Sequence, residues 1–169
     1  MLGALICATL GAVSDIRARR IPNWLTYGGL LGGLALRTIL EGWRGLGQGA
    51  AGILACGGIF FLFYLVRGMG AGDVKLMAAV GAWTGVRPAV VVMIATAVAG
   101  GILGVVYMVF YRRVGSTVQN IAELIRFHLT SGIRPHPEVN LGDPGSIRVP
   151  YGLAIAMGTL YVFMSSATF

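Results

Sequence analysis

The chain has 169 residues, 56% of them hydrophobic and only 11% charged, with a mean hydropathy of +0.80. A soluble domain carries about 25% charged residues, so this composition excludes one and predicts a single lipid-facing domain over residues 1–169. The formal charge of +7 does not point to nucleic acid, because basic residues sit in a few loops and no dense basic run with interleaved aromatics occurs.

Six apolar segments follow one another: 1–14, 24–40, 46–66, 74–83, 89–111 and 151–169. A helix needs about 20 residues to cross hydrocarbon, so the third, fifth and sixth fit, and the second fits if Arg37 snorkels to the interface. The first and fourth are short. Helix one is expected either to run on through the Arg17–Arg20 region or to begin upstream of Met1, and helix four to be tilted or to begin near Met69. Positive charge follows the first segment rather than preceding it, which predicts a retained membrane helix and not a cleaved signal.

Between segments one and two, Ile21-Pro22-Asn23 reads as a rigid turn, with Asn23 as the N-cap of helix two. Gly28-Gly29 and Gly32-Gly33 place small residues one turn apart, a pattern that favours close helix contact. Cys7 and Cys56 lie inside apolar segments and read as small hydrophobes, with no disulfide or zinc spacing. After segment five, Val114, Val118, Ile121, Ile125 and Leu129 recur at helical spacing, which predicts an amphipathic helix on the membrane surface. The stretch 131–150 holds Pro135, Pro137, Pro144 and Pro150 and reads as loop.

The loops after segments one, three and five hold ten of the 13 basic residues, against Arg37, Arg44 and Arg87 on the other side. By the positive-inside rule the ten are cytoplasmic. The fold expected is an all-α polytopic integral membrane bundle of about six transmembrane helices plus a cytoplasmic amphipathic helix. Asp15 and Asp73 then share the cytoplasmic edge.

Those two acids carry the chemistry. Placing a carboxylate in hydrocarbon costs roughly 2.5–3.5 kcal/mol even on lenient insertion scales. Glu41, Glu123, Glu138 and Asp143 instead fall in loops or the surface helix and read as solvated. There is no GxSxG or HExxH motif, and His128 and His136 sit in the surface helix and the loop, so no nucleophilic triad or metal site is expected. Two carboxylates brought together do not both ionise readily. One activates a water while the other protonates a carbonyl oxygen or leaving amine.

Gly70 and Gly72 remove side chains ahead of Asp73 and are expected to allow a substrate backbone to approach and a positive-φ turn. Lys75 is the only lysine; it reads either as a topology charge or as a contact for lipid phosphate or an acidic substrate group. Two other readings stay open: the aspartates are a helix-end charge and an N-cap, or they serve ion or substrate transport.

Taken together, Asp15 through Asn23, Gly70-Ala71-Gly72-Asp73-Val74-Lys75-Leu76, and Val149-Pro150-Tyr151-Gly152 resemble the type IV prepilin peptidases, membrane aspartyl proteases of the GxGD class. The resemblance implies that Asp15 and Asp73 are the catalytic pair. Gly70, Gly72, Lys75, Pro22 and Asn23 support the motif, and Pro150, Tyr151 and Gly152 shape the substrate groove. It further implies removal of the short basic leader from type IV (Flp-like) prepilins or pseudopilins at the cytoplasmic face of the inner membrane, just after a glycine. Larger members carry an early cytoplasmic domain with cysteine pairs and also methylate the new N-terminus. This sequence lacks that domain and is similar to the short form, so neither N-methylation nor its S-adenosylmethionine cofactor is expected. A small membrane transporter or a non-catalytic pilus or secretion assembly protein is the alternative.

Overall fold

In the computed structural model, which describes residues 1–112, 114–132 and 149–166, Gly42 folds one long helical stretch back on itself. Helix α2 runs Asn23–Gly52, yet Gly42 inside it has φ 61° and ψ −144°, a backbone shape that a Cβ disfavours. In an unbroken helix Leu34 and Gly49 would stand roughly 22 Å apart. Here a Cβ on Gly49 would lie 2.8 Å from Leu34 Cδ2, and Gly45 lies against the Arg37 carbonyl. The two limbs of α2 therefore run antiparallel, with the reversal between the second and third apolar segments. The second limb continues through a π-helical turn, Ile53–Gly57, into α3, Gly58–Leu65.

Helix α1 spans Leu2–Ala18 and stops because Arg19 turns left-handed at φ 50°, its N–H donating to the Asp15 carbonyl. Ser14 Oγ also donates to the Arg20 carbonyl at 2.8 Å. The helix thus ends before Arg19 instead of running through Arg20. It is roughly 25 Å long at 1.5 Å per residue. Helix α4 (Ala71–Thr84) lies between an extended Gly70 and Gly85 at φ 76°. Helices α5 (Val86–Phe110), α6 (Val114–Ser131) and α7 (Tyr151–Ser166) complete the chain.

The centre of the bundle is α4, whose Leu76, Met77, Ala79, Val80 and Ala82 are fully buried. Helix α2 packs against it most extensively, and α1 and α5 both pack on α7. Small residues permit this closeness: the Gly52 and Gly81 backbones meet between α2 and α4, Gly33 sits on the Trp83 backbone, and Gly158 of α7 faces the Thr96 backbone of α5. Of the four paired glycines in α2, Gly29 meets Cys7 of α1 and Gly33 meets α4, whereas nothing lies within 4 Å of a Cβ at Gly28. Cys7 and Cys56 are free and buried.

Outside this core the exterior is apolar, with Trp24, Leu31, Ile39, Ile94, Val98, Ile102 and Tyr161 exposed. The Asn23–Leu65 stretch and Val86–Phe110 are long and apolar enough to cross a membrane, and Tyr151–Ser165 is a shorter apolar helix. Among the described residues α6 packs only on α5, leaving Val118, Ile121, Ile125 and Leu129 exposed. At the end of α4 away from Asp73, Arg37 donates to the Trp83 carbonyl at 3.3 Å and pairs with Glu41 at 3.0 Å. Glu41, read as solvated, is exposed and also serves as the ion-pair partner of Arg37.

Candidate active site

The last turn of α1 and the first turn of α4 bring Asp15 and Asp73 together. Both are half-buried, and each carboxylate lies within electrostatic reach of the other. Asp73 is the third residue of α4. Its backbone N–H donates to the Gly70 carbonyl at 3.2 Å, and its carboxylate folds back over Gly70, where an added Cβ would lie 3.0 Å from Oδ2. Among the described residues neither aspartate is tied up in an ion pair.

Gly70 and Gly72 work differently from expectation. Neither has a positive φ; Gly70 is extended at φ −78° and Gly72 is helical. Their need for glycine is one of space. A Cβ on Gly70 would lie 3.0 Å from Asp73 Oδ2, and one on Gly72 would lie 3.2 Å from Ile21 Cβ. The left-handed backbone before the motif is supplied by Arg67, at φ 56°.

Asn23 is also placed differently. Pro22 occupies the cap position, and Asn23 is the first helical residue. Its Oδ1 accepts from Lys75 Nζ at 2.9 Å, and the same ammonium lies 5.0 Å from the centroid of the Tyr27 ring. Lys75 is thus a brace between α4 and the start of α2, and Pro22 fixes the turn from which Asn23 departs. Tyr27, one helical turn after Asn23, was not singled out by the sequence. The signal was its i,i+4 spacing from Asn23 on the face that meets α4.

Helix α7 closes the site. Gly152 N–H donates to Asp15 Oδ2 at 2.9 Å, and Tyr151 lies within electrostatic reach of Asp73 with its ring against Gly100 of α5. Of the Pro150–Gly152 segment, expected to shape a groove, Gly152 thus touches Asp15 itself. His136, Glu138, Asp143, Pro135, Pro137 and Pro144 lie outside the described residues.

Residues 2–105 match the model of the type IV leader peptidase family. That range holds both aspartates, Asn23 and Lys75, while α7 lies beyond it. Over 98 residues the chain is 36% identical to the prepilin leader peptidase/N-methyltransferase of Aeromonas salmonicida (strain A449), covering 54% of this chain and 33% of that protein. It is 38% identical over 109 residues to the protein of that name from Burkholderia pseudomallei (strain 1026b), covering 60% and 35%. A third, from Dickeya chrysanthemi, is 38% identical over 96 residues, covering 50% and 33%. The matched stretch spans about a third of the length of these relatives. No solved structure gives a significant match.

Proposed function

The chain belongs to the type IV leader peptidase family, and from that premise we propose that it is a membrane aspartyl endopeptidase that removes the basic leader from type IV prepilins or pseudopilins, with Flp-like prepilins as the substrate class. The observation that carries this reading is that Asp15 and Asp73 lie within electrostatic reach of each other at one end of an apolar bundle. One aspartate is charged and takes a proton from water as its oxygen attacks the scissile carbonyl carbon. The other is neutral and gives its proton to the carbonyl oxygen. Collapse of the resulting diol then breaks the C–N bond, with a proton passing to the leaving amine. No covalent enzyme intermediate forms.

In this reading the two limbs of α2–α3, together with α1, α4, α5 and α7, are six crossings of the inner membrane. The basic loops and α6 lie on the cytoplasmic side, and the dyad faces that side. The short α4, roughly 21 Å long, brings Asp73 to the depth at which a substrate helix emerges behind its basic leader. Lipid and prepilin are the partners, and neither a cofactor nor a metal takes part. A transporter would hold its paired carboxylates near the midplane, whereas here they sit where helices begin and end.

The test is co-expression with a small protein bearing a basic leader, a glycine and an apolar helix, followed by mass spectrometry of that protein. Loss of the leader after the glycine is expected. An intact leader in cells where the chain is abundant and membrane-inserted favours a transporter or an assembly protein.

A further inference from the structure

Helix α7 begins at Tyr151, and the stretch Val149-Pro150-Tyr151-Gly152 around its start contains no Ser, Thr, Asp or Asn to accept its free N–H groups. The first N–H groups of a helix have no partner within it, and a cap residue normally supplies one. Here the acceptor comes from the far end of the chain: Gly152 N–H donates to Asp15 Oδ2 at 2.9 Å. The approach to α1 is close. A Cβ on Gly152 would lie 3.0 Å from Asp15 Cβ, 3.1 Å from its Oδ2 and 3.4 Å from the Ala12 Cα.

We propose that Gly152 is a positioning residue of the active site, its N–H occupying Asp15 Oδ2 so that Oδ1 alone is left to meet the hydrolytic water. This rests on the peptidase reading above and extends it to a helix outside the stretch matched to the family. Two features of glycine are used at once. Its N–H orients the carboxylate, and its missing side chain lets α7 come against α1 at Asp15. The end of α7 adds its partial positive charge on the same side. Gly152 therefore acts through Asp15 and not by lining the path of the substrate.

Two arms test this. In the first, cleavage kinetics of a purified prepilin-type substrate are measured for Gly152→Ala and for Gly47→Ala, whose Cβ meets nothing within 4 Å. Displacing the hydrogen bond that orients Asp15 predicts a fall in kcat of about 10- to 100-fold for Gly152→Ala, with KM within about twofold, and no change for Gly47→Ala. Unchanged kcat, or a raised KM with kcat intact, overturns the proposal. In the second, Asp15→Cys and Gly152→Cys are combined and oxidised in membranes, with each single variant as control. The Cβ positions need to separate only slightly to reach the 3.5–4.5 Å of a disulfide, so cross-linking is expected in the double variant, and a folded double variant that does not cross-link overturns the proposal. This arm reads the contact without any cleavage. A wild-type chain that cleaves nothing therefore removes the peptidase reading while the contact is still decided.

Discussion

Replacing Gly81 with alanine strikes one of the tightest helix–helix approaches among the described residues. The added Cβ would fall 2.6 Å from the Gly52 carbonyl carbon and 3.1 Å from the Ile53 nitrogen, and would also meet the Gly52 carbonyl oxygen. Ordinary contact begins near 3.4 Å, so α2 and α4 would have to part by most of an ångström. The obstructing atoms are backbone, with no rotamer to move aside. Overpacking of this kind costs about 1–3 kcal/mol, offset by the roughly 0.5–1 kcal/mol that alanine gains over glycine inside a helix. A net loss of about 1–2 kcal/mol is expected. Gly47→Ala, with nothing within 4 Å of its Cβ, keeps only the helix gain and is the control. Denaturation in mixed micelles, followed by tryptophan fluorescence, measures both. Because α4 also carries Asp73, Gly81→Ala should lower cleavage as well as stability. Equal stability of the two variants would refute the backbone contact on which the burial of α4 depends.

The Asn23–Lys75 brace should appear in a double-mutant cycle: Asn23→Ala and Lys75→Met each destabilise, and their coupling is about 0.5–1.5 kcal/mol, partly offset by exposure. A coupling near zero would mean that the 2.9 Å bond holds nothing in place. Asp15→Asn and Asp15→Ala should both be inactive, yet the asparagine retains an oxygen for Gly152 N–H. It should therefore be the more stable of the two by about 1 kcal/mol in the same micelle assay, and equal stability would argue against a capping role.

Much of this arrangement was legible in the amino acids alone. Apolar runs bounded by Arg17–Arg20, by Arg44 and Arg67, and by Gly85 mark the helices, because charge and glycine are costly inside an apolar helix. The pairing of Asp15 with Asp73 follows from their rarity and from the loop charges. Local chemistry was read less well. Asn23 has the composition of a cap, but Pro22 takes that position and a lysine from α4 claims the side chain. Gly70 and Gly72 suggested an unusual φ, yet their demand is for space against Asp73 and Ile21, which depends on neighbours distant in sequence. The cap of α7 by Asp15 is invisible for the same reason. A helix start without a capping residue was the one local sign that something remote fills the gap.

In the proposed mechanism Asp15 and Asp73 share one hydrolytic water. Its most direct test uses purified chain in proteoliposomes, with wild type, Asp15→Asn and Asp73→Asn each given the same prepilin-type substrate and the new N-terminus read by mass spectrometry. Cleavage by the wild type and none by either variant is expected, with both variants retaining wild-type helicity. Cleavage at the same bond by either asparagine variant, at a rate comparable to wild type, would contradict it.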